Sequence, residues 1–278
     1  MEMQRMSTYK LIAFDMDGTL LNSKKEISAA TLAAIKKAHD VGKIIALSTG
    51  RCLAELSAYT GQIPGLRYLV CASGSLVYDL DEQKVLFSEP LMPEQVIPIM
   101  EIAASEKPMT HILSLRSIVD QNDIDHMEDF HMEIFRTFFE QVADKCPDLK
   151  EKYFAEPFPM NKLNLYHRDG ASCARTEARI REAGIDVTMV YEQGTSIEIS
   201  AKGVTKASGL AHLCDHLGLS ISQTIAVGDS ENDVDVLKKA GFSIAMGNAK
   251  PGIKAIADAV VADCDHDGCV EAIEKYLL

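Results

Sequence analysis

The sequence predicts an α/β fold in which a parallel-sheet core is interrupted by a second, α+β domain. Three observations predict it. Short apolar runs bounded by turn residues alternate with helical stripes at both ends of the chain, the middle loses that alternation, and prolines mark the change. A chain of 278 residues suits one large or two medium domains.

Residues 11–14, 44–47 and 68–72 are apolar over the length of a strand. They read as buried parallel strands, because a strand covered on both faces has no solvent side on which polar residues would alternate. Residues 28–41 read as a helix: Ser28 is a candidate N-cap, Leu32 and Ile35 share a face, and Gly42 stands where a helix stops. That is a βαβ unit. A helix over 206–217 carries Leu210, Leu213 and Leu217 on one stripe and stops at Gly218. A strand over 224–227, a helix around 233–240 ended by Gly241, a strand over 242–246 and a closing helix over 270–278 follow.

Between these ends, Pro90, Pro93, Pro98 and Pro108 punctuate the entry to the middle segment, and Pro147, Pro157 and Pro159 interrupt it further on. A helical stretch over 127–144 alternates there with strands at 162–166 and 196–199. The expected division is therefore a core of residues 1–89 and 201–278 with residues 90–200 inserted. No internal repeat or low-complexity tract stands out.

Composition narrows the function classes. The chain is 47% hydrophobic and 25% charged, which is ordinary for a globular protein. A net charge of −13 argues against nucleic acid or an anionic membrane as partner, since both are bound by excess Lys and Arg. Seven cysteines without a C-x-x-C pair read as reduced thiols. Residues 1–10 lack the apolar stretch of a secretion signal and no run is long enough to span a membrane, so a cytoplasmic location is expected.

The strongest chemical signal is Asp15-Met16-Asp17-Gly18-Thr19-Leu20-Leu21, directly after the first strand. Ligand sites of open α/β sheets lie beyond the carboxyl ends of the strands. Carboxylates at i and i+2, with Gly18 allowing a sharp turn, can converge on one hard cation and leave one free to attack phosphorus. The bland alternative is a turn in which Asp15 and Asp17 only cap backbone amides. A calcium loop does not fit, because Thr19, Leu21 and Ser23 would occupy ligand positions.

Three further groups stand at strand ends or helix starts. Ser48-Thr49-Gly50-Arg51 offers a hydroxyl, a glycine amide and a guanidinium, all phosphate-binding group types, or else plain turn chemistry. Lys206, in Lys202-Gly203-Val204-Thr205-Lys206, opposes the dipole of the helix it opens; it is placed for a phosphate, or it is a solvated surface lysine. In Gly228-Asp229-Ser230-Glu231-Asn232-Asp233 the oxygens can complete a metal shell, with Asp229 best placed, while Ser230 and Asn232 equally suit an N-cap.

In this order and at these positions the four motifs resemble the haloacid dehalogenase superfamily, most closely its Cof-like phosphatase branch. The resemblance covers both terminal segments and implies a Rossmann-like parallel-sheet core with an inserted α+β cap domain of the larger type, which selects substrate. It implies Asp15 as nucleophile and Mg2+ ligand, Asp17 as general acid and base and a further metal ligand, Thr49 as a hydroxyl donor to phosphate, and Lys206 as a charge clamp. It implies Asp229 as a metal ligand, Asn232 as a phosphate contact, Asp233 as support behind the metal shell, and the Met16 and Gly50 amides as donors to phosphoryl oxygens. Relatives of this branch usually carry Asn-Gly-Ala after the third strand, where this chain has Ser73-Gly74-Ser75. Substrate identity therefore does not transfer with the motifs.

The implied function is Mg2+-dependent hydrolysis of a small phosphorylated metabolite (a sugar, nucleotide or cofactor phosphate) through a phospho-aspartyl intermediate. The physics is compatible, since phosphoryl transfer is mostly positioning and charge neutralisation. A phosphotransferase or phosphomutase would use the same carboxylates but shield the intermediate from water. A non-catalytic sensor of phosphometabolites has no need of a nucleophile beside an acid. Oligomeric state is not legible.

Overall fold

The structure is a computed structural model that describes residues 8–192 and 194–278; the N-terminal reading above thus rests partly on residues outside the described ones. The chain divides into two compact units. One is formed by the segment ending at Gly50 with Ala58–Phe87 and Thr205–Leu278, the other by Arg51–Ser57 and Ser88–Val204. Strands are numbered along the chain. β1 (Leu11–Phe14), β2 (Ile44–Ser48), β3 (Tyr68–Cys71), β4 (Leu76–Asp79) and β5 (Lys84–Ser88) come first. The second unit holds β6 (Met109–Leu113), β7 (Ser117–Asp120), β8 (Asp144–Cys146), β9 (Lys162–Tyr166), β10 (Val187–Glu192) and β11 (Ser196–Ala201). β12 (Thr224–Gly228), β13 (Phe242–Ala245) and β14 (Ala259–Val260) return to the first.

The sheet of the first unit runs β14-β13-β12-β1-β2-β3-β4-β5. β1 lies between β12 and β2, parallel to both, and all four of its residues are buried, which is why its sequence shows no alternation. Phe14 stands opposite both Leu47 and Val227. That register brings Asp15, Ser48-Thr49 and Gly228-Asp229 to one edge of the sheet.

The helix Ala29–Asp40 begins where expected, with the Ser28 hydroxyl accepting from the Thr31 amide, and buries Thr31, Ala34, Ile35 and Ala38. The helix Lys206–Leu217 turns Leu210 and Leu213 into a core shared with Ala13, Val70 and Val236. β3 stops one residue short of the expected strand. Ala72, Ser73 and Gly74 follow with positive φ (48°, 56° and 100°) and send the chain back as the antiparallel β4. The closing segment is α-helical only over Gly268–Ala272 and continues as a π turn, Ile273–Leu277.

The sheet of the second unit runs β10-β11-β9-β6-β7-β8 and is antiparallel except between β7 and β8. Leu163, Leu165, Ile197 and Ile199 face the helices Pro93–Ala103 and Gly170–Glu182, packing on Val96, Ile99, Cys173 and Ile180. A separate cluster joins Met109 and Val119 to Ile124, Met127, Phe130 and Phe139. The helix expected over 127–144 is broken. Short turns at Met127–Phe130 and Glu133–Phe135 precede a helix at Arg136–Val142, and His131 in the left-handed region (φ 60°) ends the first turn.

Segment Arg51–Ser57 packs with the second unit, although it falls inside the stretch expected for the core. The Ala54 amide donates to the Leu115 carbonyl (3.1 Å) and Arg51 lies over the Phe138 ring, 4.7 Å from its centroid. All seven cysteines are free thiols, and among the described residues no helix is long and apolar enough to cross a membrane.

Candidate active site

The edge at the carboxyl ends of β1, β2 and β12 gathers the acidic motifs. After Phe14 the chain turns on itself, the Leu20 amide donating to the Asp15 carbonyl (3.2 Å) and the Leu21 amide to that of Met16 (2.8 Å). Lys206, 1% exposed, reaches this edge from the first turn of its helix. Its Nζ donates to Asp15 Oδ1 (2.6 Å) and to Asp233 Oδ1 (2.8 Å). The other Asp233 oxygen accepts from the Asp229 and Ser230 amides at 3.0 and 3.1 Å, so Asp233 both holds Lys206 and ties down the loop after β12. Asp229 accepts from the Thr19 hydroxyl (2.9 Å) and the Asn248 amide (3.2 Å).

Two glycines are required by this packing. A Cβ on Gly228 would lie 2.4 Å from Asp233 Cγ, so only glycine leaves room for that carboxylate to fold back. A Cβ on Gly74 would lie 2.0 Å from the Thr205 carbonyl oxygen; this glycine, at φ +100°, lets the start of the Lys206 helix rest on the turn after β3.

The electrostatics follow from burial. Burial pushes the Asp15 carboxyl well above the usual carboxylate range, against the pull of Lys206 and with a further push from Asp233 and Asp229. Asp229 is pushed up to about 6, by burial first and then by Asp233. Burial disfavours the Lys206 charge, but Asp15 and Asp233 outweigh it and hold the ammonium protonated. Asp15, Asp229 and Asp233 each place an oxygen within 4.8 Å of the others. Lys206 neutralises part of that charge; a hard divalent cation would neutralise the rest.

Asp15, Lys206, Asp229 and Asp233 come together, and Lys206 is no solvated surface lysine. The Asp17 carboxylate is not part of the group formed by Asp15, Asp229 and Asp233; it lies 2.8 Å from Lys25 Nζ and is 39% exposed. The backbone of Asp17 pairs with Leu21 in an isolated bridge within this turn. Asp233, expected behind the shell, lies within the acidic group. Met16 and Thr49 are buried at the ends of β1 and β2, and Gly50 follows Thr49. Asn232 Oδ1 accepts from the Ser230 hydroxyl (2.9 Å), and Ser230 caps the turn Glu231–Asp233.

Thr19 and Asn248 were not singled out by sequence. Asn248 carried a usable signal, since Gly247-Asn248 follows β13 as the other motifs follow their strands; its Nδ2 also donates to the Gly18 carbonyl (2.8 Å). Thr19 lies inside the first motif, but its hydrogen bond to Asp229 spans 210 positions and has no local signature.

Comparison with known proteins agrees with this geometry. A family model described as haloacid dehalogenase-like hydrolase matches residues 12–273. A 5-amino-6-(5-phospho-D-ribitylamino)uracil phosphatase of Bacillus subtilis is 28% identical over 273 residues, covering 97% of this chain and 96% of the relative. Another phosphatase of that organism is 28% identical over 286 residues, covering 97% of this chain and 100% of the relative. Among solved structures, a haloacid dehalogenase-like hydrolase from B. subtilis superposes with a TM-score of 0.84 at 26% identity, covering 97% of this chain and 100% of that one.

Proposed function

The chain belongs to the haloacid dehalogenase-like hydrolases, and from that premise we propose that it hydrolyses small phosphate monoesters through a phospho-aspartyl intermediate on Asp15. The observation that carries the proposal is the buried Lys206 ammonium held between Asp15 and Asp233 at the end of β1. A fixed cation beside a carboxylate neutralises charge where a phosphoryl group would approach, and it does so without rearrangement during the reaction.

Asp15 Oδ attacks phosphorus and the ester oxygen leaves. Asp17 supplies that oxygen with a proton and later takes one from the water that attacks the aspartyl phosphate, so one group serves both steps. Its half-exposed position at the turn suits exchange of protons with solvent. The Thr49 hydroxyl and the Met16 and Gly50 amides bind the phosphoryl oxygens, and Asn232 contacts the phosphate. Asp15 and Asp229 would hold Mg2+, a choice supported by an all-oxygen donor set and by the reluctance of both carboxyls to ionise in its absence. Asp233 has both oxygens engaged already and would keep Lys206 and the loop in place. When bound, the cation supplies charge stabilisation to the phosphoryl oxygens. The second unit selects among substrates by their leaving groups; the substrates named for the relatives are small phosphorylated compounds such as a phosphoribitylaminouracil.

Asp15→Asn tests the reading. The amide keeps the shape but is a poor nucleophile, so phosphate release should be abolished with circular dichroism unchanged. Acid quenching of the unmodified enzyme during turnover should yield an Asp15 peptide heavier by one phosphoryl group. Release at the normal rate by the variant would refute the mechanism.

A further inference from the structure

One side chain ties the turn after β1 to the ends of β12 and β13. Asn248 stands three residues beyond β13, and its Nδ2 donates to the Gly18 carbonyl (2.8 Å) and to Asp229 Oδ2 (3.2 Å). Its Oδ1 accepts from the Cys264 amide at 3.1 Å. These partners fix which way the side-chain amide points. A backbone N–H, which only donates, faces the oxygen; a carbonyl and an ionised carboxylate, which only accept, face the nitrogen. Both hydrogens of Nδ2 are thereby committed.

The junction is close-packed around Asp229. The other carboxylate oxygen, Oδ1, accepts from the Thr19 hydroxyl (2.9 Å). A Cβ on Gly18 would lie 2.5 Å from Asp229 Oδ2, so the turn that carries Asp15 and Asp17 rests against the same oxygen that Asn248 holds. A Cβ on Gly247 would lie 2.7 Å from the Asp263 amide nitrogen, and the Gly247 amide donates to the Ala262 carbonyl (3.1 Å). Residue 247 thus admits the chain leading to Cys264, whose amide holds Asn248 from behind.

The hydrogen bonds of Asn248 contribute little to the fold. Its side chain is exposed, and a bond made at the surface replaces one to water. Direction is what they fix. With Thr19 on one oxygen and Asn248 on the other, the Asp229 carboxylate is held at both ends, within 4.8 Å of the Asp15 and Asp233 oxygens. Partners that orient a ligand in this way are worth about as much to metal affinity as many ligands are.

We infer that Asn248 is a positioning residue for the metal: by aiming Asp229 and pinning the Gly18 turn against it, Asn248 sets the affinity of the site for Mg2+. The inference rests on the proposed reading in which Asp15 and Asp229 hold that cation. Asn248 acts in the free enzyme, before any substrate arrives, so its loss is a loss of metal binding and not of phosphoryl transfer once metal is bound.

The test is Mg2+ binding to the substrate-free protein by titration calorimetry, with Mn2+ binding read by electron paramagnetic resonance, in the unmodified protein, Asn248→Ala, Asn248→Leu and Ile35→Val. Asn248→Ala should weaken Mg2+ and Mn2+ binding by about 10- to 100-fold. Asn248→Leu, which keeps the volume and removes the donors, should weaken it as much. Ile35→Val lowers the stability of the same unit from its core and should leave metal affinity unchanged. With an aryl phosphate, the Mg2+ concentration for half-maximal activity should rise with the dissociation constant, while kcat at saturating Mg2+ falls far less. Unchanged metal affinity in Asn248→Ala, affinity restored in Asn248→Leu, or an equal loss in Ile35→Val would overturn the inference and leave the metal reading intact. An unmodified protein that binds neither Mg2+ nor Mn2+ would overturn both.

Discussion

At the scale of single residues, the site is a problem of placing like charges together. Asp15, Asp229 and Asp233 converge within 4.8 Å, and Lys206 meets two of them at 2.6 and 2.8 Å. The folded protein pays for this in the ionisation of Asp15 and Asp229, both of which hold their protons more tightly than they would in an unfolded chain. The sign of the pH effect follows. Between the unfolded carboxylate range and about 6, the native state binds more protons through Asp229, so this group withdraws stability as pH rises through 6. A cation bound between the carboxylates restores it and must displace those protons to bind. The melting temperature should therefore rise on adding Mg2+, and rise more at pH 7.5 than at pH 5, as read by calorimetry with and without the metal. An equal Mg2+ effect at both pH values would place the cation elsewhere.

At the scale of elements, function depends on strand ends in register and on one tight helix contact. The parallel pairing of β12, β1 and β2 puts three motifs at one edge, whereas Lys206 arrives on a helix whose start presses on Gly74. Gly74→Ala adds a Cβ 2.0 Å from the Thr205 carbonyl at a backbone φ of +100°. Either the turn or the helix must move. The substitution should cost about 1–3 kcal/mol in denaturant unfolding, from strain and overpacking together, and should lower kcat more than a surface substitution of equal cost because Lys206 moves with its helix. Unchanged stability would mean that the turn after β3 relaxes freely. This turn is also where the chain carries Ser73-Gly74-Ser75. The left-handed backbone at Ser73 was not legible, because serine does not announce positive φ, whereas Gly218 and the helix it ends were legible for the opposite reason.

At the scale of the molecule, each unit has its own core. Leu210, Leu213 and Val70 belong to one, and Leu163, Leu165 and Ile197 to another. If the two fold as separate cooperative units, Leu163→Ala should destabilise its own unit by about 2–5 kcal/mol. Hydrogen exchange followed by mass spectrometry should then accelerate in residues 88–204 and in 51–57, while the amides of β1 and β12 keep their protection. Uniform acceleration across the chain would show a single cooperative unit. The inclusion of 51–57 is the sharper part of the prediction, since Glu55 is fastened to Ser117 and His111 of the second unit's sheet.

The sequence by itself determined what depends on local pattern: buried strands from unbroken apolar runs, helix ends from Ser28 and Gly218, and four chemical motifs recognisable because each follows a strand or opens a helix. Tertiary structure alone decided what depends on contacts between distant positions. Lys206 could have been a solvated lysine until its helix was packed beside β1. Where the Asp17 and Asp233 carboxylates lie depends on contacts with Lys25 and with Lys206 and the loop after β12, which spacing does not specify. The helix expected over 127–144 is interrupted at His131, whose left-handed backbone (φ 60°) ends the first turn, and Met127, Phe130 and Phe139 join a cluster with Met109 and Val119. Segment 51–57 joined the second unit because Glu55, buried, takes its hydrogen bonds from a serine 62 positions away and a histidine beside it. Local pattern encodes which faces must be buried, and only the fold specifies the partner that each buried polar group meets.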